Sequence, residues 1–296
     1  MDILVQGLLL GGLYALFALG QSLMFGVMRL TNTAQGDFIV LAGFAAIALA
    51  SLVGSVGGSA GTAAIGLHLA LVLLGLVPFA FAAGYGLQRV VLNGTLGRDP
   101  LPSLVVTFGL AIVIQNALLQ AFSADPRSLD TGPLASASVS GGGVTIGVLP
   151  LLIFGVALAA TASLQWLFGR TKLGRAFRAV SDDREIAELM GLDARKVYAL
   201  ATGIAFVLVA LAGMLQAMRT TVSPSDGPSL LLFAFEAVVI GGMGSFWGTF
   251  VGAMLLGVTQ QVGFRIDPGW GIWFGHLAFL VVLVARPQGL FPKTRG

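Results

Sequence analysis

The sequence predicts an all-α, polytopic membrane protein, and three observations predict it. More than half of the 296 residues are apolar and only 10% are charged. The apolar residues fall in runs close to the roughly 20 residues that a helix needs to cross a bilayer. Those runs lack both the polar stripe of a soluble amphipathic helix and the strict alternation of a barrel strand. Within hydrocarbon only helices or closed barrels satisfy their own backbones, so helices are left.

In chain order the runs place spans at 3–28, 38–53, 63–87, 101–122, 149–168, 197–218 and 271–285, about seven full crossings. A further pair, 230–240 and 246–264, is broken by Gly241, Gly242 and Gly244. Each arm is short for a crossing, so the pair reads as a re-entrant segment or a short helical hairpin. The stretch 123–148 is rich in Ser, Gly and Pro and reads as an ordered loop or small hairpin. Basic residues set the orientation, because Lys and Arg are retained on the cytoplasmic side. An N-terminus outside and a C-terminus inside place Arg29, Arg89, Arg98, Arg286, Lys293 and Arg295 in the cytoplasm, with only Arg127, Arg219 and Arg265 outside. The chain is one transmembrane domain, 1–296, with a cytoplasmic loop at 170–196 and an extracytoplasmic loop at 123–148.

That cytoplasmic loop is the most unusual part of the sequence. Residues 170–196 hold twelve of the chain's 16 basic and 13 acidic residues. Within them Asp182 and Glu185 have capping-box spacing. Ile186, Leu189 and Met190 then share one helical face, Arg184 and Glu188 pair one turn apart, and Gly191 ends the helix. Such an amphipathic helix either rests on lipid headgroups or docks its apolar face into a partner's groove.

Polar residues inside the apolar runs are the other candidates. Asn32, Gln35 and Asp37 interrupt the first apolar region where a helix restarts, with Thr33 or Gln35 placed to cap it. A helix N-terminus favours an anion such as an amino-acid carboxylate, while the plainer reading is a capped cytoplasmic turn. Glu236 is the one acidic residue in its apolar run, and burying such a charge costs roughly 2.5–3.5 kcal/mol, so it requires a cavity or a partner. Gln115, Asn116, Gln216, Gln260 and Gln261 read as interhelical hydrogen-bond partners. Gly244, Gly248 and Gly252, like Gly7 and Gly11, form flat faces for close helix approach. Trp166, Trp270 and Trp273 read as interfacial anchors. His68 and His276 stand apart from acidic residues in sequence, so no metal site is expected. With no cysteine, no nucleophile constellation and no phosphate-binding loop ending in Gly-Lys-Ser or Gly-Lys-Thr, the chain is expected to be neither an enzyme nor a nucleotidase.

Taken in order, the chain's motifs resemble the permease subunits of the branched-chain (hydrophobic) amino-acid ABC importers. The motifs are Asn32-Thr-Ala-Gln-Gly-Asp37, Arg98-Asp-Pro100, Thr107-Phe-Gly109, Gly174-Arg-Ala-Phe-Arg-Ala179, Ala187-Glu-Leu-Met-Gly191, Ala237-Val-Val-Ile-Gly-Gly-Met-Gly-Ser245 and Arg286-Pro-Gln-Gly-Leu-Phe291. The resemblance implies a bacterial inner-membrane transport subunit with no cofactor of its own, ATP and Mg being bound by partner subunits. It implies ABC ATPases, a second homologous permease and an extracytoplasmic solute-binding protein as partners, with no nucleic acid. Asp182, Glu185, Ile186, Leu189, Met190 and Gly191 would then seat on the ATPase. Asn32, Gln35, Asp37, Glu236, Gly241, Gly242 and Gly244 are the candidates for the translocation path. Amides, urea and short carboxylates are the related solutes such a permease would alternatively carry. An ion-gradient-driven secondary transporter is the alternative from another class.

Overall fold

The computed structural model describes residues 2–54, 62–96, 101–141 and 144–291. Arg98, Lys293 and Arg295, and the Arg98-Asp-Pro100 motif, lie outside the described residues. Twelve α-helices are described: α1 (Asp2–Met28), α2 (Gln35–Val53), α3 (Thr62–Val90), α4 (Leu101–Phe122), α5 (Pro133–Ser136), α6 (Val148–Arg170), α7 (Lys172–Asp182), α8 (Arg184–Leu189), α9 (Ala194–Arg219), α10 (Gly227–Gly241), α11 (Phe246–Ile266) and α12 (Gly271–Ala285). The strands β1 (Ser138–Gly141) and β2 (Val144–Gly147) pair antiparallel between α5 and α6. They give the expected hairpin in the 123–148 loop.

Six helices, α1, α2, α3, α4, α6 and α9, are long and apolar enough to cross a membrane, and α10 with α11 adds a seventh candidate. The 15 residues of α12 match the expected 271–285 in position. At 1.5 Å per residue they reach about 22 Å, short of a hydrocarbon core of about 30 Å.

Helices α1 and α9 form the centre of the bundle, with Leu16, Phe17, Leu19, Ala205 and Ala210 almost fully buried. Small residues set how closely the helices approach. A Cβ at Gly7 would lie 2.6 Å from the Cα of Val258, and one at Gly11 2.7 Å from the Ala253 carbonyl, so α1 and α11 touch backbone to backbone. Gly248 and Gly252 do the same for α11 against α10, each within 2.4 Å of a carbonyl of Gly241 or Ala237. Gly7 with Gly11, and Gly248 with Gly252, therefore form the expected flat faces on two sides of α11, while Gly244 lies in the turn before it.

The α10–α11 pair is bent by 118° at residues 242–245. Gly242 turns the chain with φ +100°, a conformation that only glycine adopts cheaply. Ser245 caps α11, its Oγ accepting from the Gly248 N–H at 3.1 Å. The turn lies at the end of the bundle where α1 finishes, since Gly26 faces Gly244, and the segment after α12 closes over it. Leu290 donates to the Ile240 carbonyl (2.8 Å) and Phe291 to that of Gly241 (3.0 Å). The other arm starts inside the bundle, where Gly227 packs against Gly36 and Asp37. The pair is thus a hairpin of unequal arms, its bend reaching the end that carries α7.

At the opposite end, the 123–147 loop is tied down by Leu129 N–H to the Ala217 carbonyl (2.8 Å), by an Arg127–Val222 bridge, and by Gln6 to the Thr145 carbonyl.

Candidate functional site

The charged loop folds into two helices. Thr171 caps α7, its hydroxyl accepting from Gly174 N–H at 3.0 Å. Phe177 and Val180 are buried, with the Phe177 ring centroid 5.3 Å from that of Phe168, which in turn meets Phe246 at the start of α11 edge-on at 4.8 Å. Ser181 Oγ donates to the Gly26 carbonyl at 2.8 Å. Helix α7 is therefore fastened to α6 and to the end of α1, and reaches the head of α11 through Phe168 of α6.

Helix α8 follows after one residue. Its N-cap is Asp183, whose carboxylate accepts from the Ile186 N–H at 3.0 Å. This corrects the expected cap at Asp182: α7 runs through Asp182, so that residue is still helical and cannot serve the next helix. Glu185 consequently sits at the second helical position and not at the third, and the capping box is not made. The Arg184–Glu188 pair forms at 3.0 Å on the exposed side. At the far end Gly191 takes φ +86°. Its N–H donates to Glu188 and that of Leu192 to Ala187, the bond pair of a Schellman termination. Asp193 then caps α9 through the Lys196 N–H, and that bond holds its carboxyl below the ordinary value.

Only Ala187 of α8 is buried. Ile186, Leu189 and Met190 are 59%, 86% and 81% exposed. A six-residue helix held at both ends and presenting three large apolar side chains outward is the reverse of a helix packed on its own bundle.

The interior polar candidates fall in three separate places. Asn32, Gln35 and Asp37 are all buried beside α1. Asn32 Oδ1 accepts from Ala34 N–H at 3.0 Å, and the Gln21 amide brackets its backbone at 3.2 Å. Gln35 Nε2 donates to the Phe17 carbonyl at 3.3 Å, halfway along α1, so α2 begins inside the bundle. Neither Thr33 nor Gln35 caps it: the N-cap position is Ala34, and Thr33 instead bonds Thr107 of α4 at 2.8 Å. Asp37 lies against Gly227, where a Cβ would stand 2.1 Å from its Oδ1. Gly241 ends α10 against the backbone of Gly248, and Gly242 and Gly244 form the turn with φ +100° and +85°.

Glu236 is in the third place. It is 4% exposed and its Oε1 is hydrogen bonded to His276 Nδ1 of α12. His276 therefore has the acidic partner that its sequence neighbourhood did not show. Around the pair stand Tyr14 of α1, which donates to Gln260 Oε1 of α11 at 2.6 Å, and Phe233, whose ring centroid lies 4.8 Å from that of Tyr14 and 6.3 Å from that of His276. Arg219 ends α9, with its Nη1 buried. Sequence reading took Gln260 correctly as an interhelical partner but did not single out Tyr14. Tyr14, Glu236, Gln260 and His276 come from four helices, so no window of sequence contains them together. No group of three or more metal-ligating side chains occurs among the described residues.

The sequence matches a known family over almost the whole chain. The family model described as branched-chain amino acid transport system / permease component matches residues 3–285. The chain belongs to that family. The permease protein BraD of the high-affinity branched-chain amino acid transport system of Pseudomonas aeruginosa is 29% identical over 98% of this chain and 95% of its own. The corresponding LivH of Escherichia coli is 27% identical over 97% and 94%. The autoinducer 2 import permease LsrC of Yersinia pseudotuberculosis is 30% identical over 78% and 68%. Membership makes the chain a transport subunit spanning the membrane several times.

Proposed function

We propose that this chain is the plasma-membrane permease of an ATP-driven importer for branched-chain or other hydrophobic amino acids. It pairs with a second homologous permease, receives solute from an extracytoplasmic binding protein and seats on ATPase subunits that supply ATP and Mg. The observation that carries the reading is α8. Its two ends are fixed by Asp183 and Gly191, and it turns Ile186, Leu189 and Met190 away from the bundle. A groove on a soluble partner is the environment that such a face fits, with Arg184 and Glu188 at its rim. On the positive-inside orientation α8 is cytoplasmic, where ATPases reside.

Helix α7 is the mechanical link. A displacement of α8 is carried by Phe177 to Phe168 and Phe246, and by Ser181 to Gly26, both next to the α10–α11 turn. The hairpin arm that the turn moves is the one carrying Glu236. In this reading Asn32, Gln35, Asp37 and Glu236 face the path when it opens, and Gly241, Gly242 and Gly244 let the hairpin pivot. The solute class follows from the named relatives BraD and LivH.

The test is purification of the chain from its native membranes in mild detergent, then reconstitution of what accompanies it. ATP-dependent leucine accumulation in liposomes is expected. A chain that purifies without an ATP-binding subunit, and takes up solute on an ion gradient alone, would replace this reading with the secondary-transporter one.

A further inference from the structure

Helices α3, α6 and α9 line a cavity of about 380 Å³ at the end of the bundle that carries the 123–147 loop. Met214, Leu215 and Met218 of α9 form its buried floor, and Leu134 of α5 lies over its end. The loop that carries Leu134 is held on two sides. Leu129 N–H donates to the Ala217 carbonyl of α9, and a Cβ at Gly132 would stand 2.7 Å from Ile65 Cδ1 of α3. The cavity opens between α3 and α6, where Gly66 and Leu152 both line it and are exposed.

Every lining residue among those described is glycine or carries an apolar side chain. An amino acid would leave an ammonium and a carboxylate without partners there, so a zwitterionic solute does not fit. Water finds no side chain to bond, and apolar cavities of this kind stay dry. A transmembrane helix is too wide. The lining of α3 runs from Ile65 to Leu73, about 12 Å, and that length of a helix with its side chains fills about 900 Å³. The opening faces hydrocarbon, because α3 and α6 are both membrane-spanning and mostly unburied. A hydrocarbon chain is narrow, has no polar group to satisfy, and restores the dispersion contacts that an empty cavity forfeits.

We propose that this cavity is a binding site for an acyl chain of a membrane phospholipid, which enters between α3 and α6. The chain lies on α9 and under Leu134, and the headgroup stays outside the cavity. The volume is at the lower end of the roughly 300–1,000 Å³ of small-molecule sites. The site shares no residue with the Glu236 cluster or with α8, and it does not depend on which solute is carried. Its ligand joins α3 to α6 across α9, one of the two central helices. It is therefore part of the packing of the bundle, unlike lipid that touches only the outer faces.

The experiment places the full chain, with the subunits that accompany it from native membranes, in bilayers containing a phosphatidylcholine with a diazirine on one acyl chain. After illumination, peptide mass spectrometry locates the inserted lipid. Leu67 and Leu71 are 63% and 44% exposed on the outer face of α3, so lipid around the bundle labels them. Met214, Leu215 and Met218 are at most 7% exposed, so only a chain inside the cavity reaches them. Label on both sets is expected. A Cβ at Gly66 meets nothing within 4 Å, so Gly66→Phe fills the opening without a backbone clash. That variant should lose the α9 label and keep the label on Leu67 and Leu71. If it fails to fold, the wild-type pattern decides alone. Wild-type label confined to Leu67 and Leu71, or α9 label that persists in Gly66→Phe, overturns the site. So does α9 label that appears only after the accompanying subunits are stripped away, which would assign the cavity to a protein partner.

Discussion

Helix α8 and the Glu236 cluster invert the usual distribution of side chains in opposite senses. The helix turns apolar residues outward: Leu189 and Met190 are more than 80% exposed on a segment that is otherwise densely charged. The cluster turns polar residues inward: Glu236 and Gln260 are at most 4% exposed in a bundle that is otherwise apolar. Each inversion costs free energy in the isolated chain, and each is therefore informative. Apolar surface left in water is recovered by a partner protein or by lipid. Buried donors and acceptors left unmatched, at about 1–3 kcal/mol each, are recovered by a ligand or by water. On the proposed reading the outward inversion is where another protein sits, while the inward one is buried polarity that a ligand or water would match.

The two regions also differ in how readable they are. Helix α8 is a single local segment whose cap, face and termination lie within ten residues, so periodicity found its apolar face and its Gly191 stop. Periodicity missed the cap by one residue, because Asp182 and Asp183 are adjacent acids of equal capping propensity. What decides between them is where α7 ends, and that is set by Phe177 and Val180 packing inward, a tertiary fact. The Glu236 cluster has no local signature. Its members are separated by up to 262 positions, from Tyr14 to His276, and only the packing of α1, α10, α11 and α12 brings them together. The spans themselves were legible because their length and apolar character are local properties. The depth at which α2 and α10 begin was not, because it depends on Gly36 meeting Gly227.

That meeting gives the largest expected effect, and it sharpens the interior side of the comparison. A Cβ at Gly36 would stand 1.8 Å from the Gly227 carbonyl oxygen, with backbone on both sides and no side chain free to yield. Gly36→Ala is expected to separate α2 from α10 and cost more than about 3 kcal/mol, enough to remove most of the folded protein. Size-exclusion profiles in detergent check this; a monodisperse variant at wild-type yield would show that the contact is loose.

On the exterior side, Leu189→Asp or Ile186→Asp is expected to lower ATP-driven uptake by tenfold or more while yield and profile stay unchanged. The side chains touch little within the chain, so folding is spared, whereas a charge in an apolar groove costs an interface about 2 kcal/mol or more. Uptake at the full rate in both variants would return α8 to the status of a helix resting on headgroups.

Smaller still is Ser181→Ala. It deletes the one side-chain hydrogen bond from α7 to the Gly26 carbonyl, with a net worth of about 1 kcal/mol. If α7 carries motion from α8 to the hairpin, uptake should fall severalfold while binding of the ATPase subunits is unchanged. Equal loss of both would mean that α7 only positions α8.

The finest test separates the two neighbouring acids. Asp183→Ala removes the acceptor for the Ile186 N–H and should destabilise α8 by about 1 kcal/mol, raising hydrogen exchange across 186–190 about fivefold. Asp182→Ala leaves the cap intact and replaces an exposed residue in the last turn of α7. A carboxylate at a helix C-terminus is opposed by the helix dipole, so its removal is neutral or slightly favourable, within about 0.5 kcal/mol. Exchange at 186–190 should then stay within about twofold of wild type. The opposite ranking would restore the capping box at Asp182 and Glu185 and end α7 one residue earlier, at Ser181.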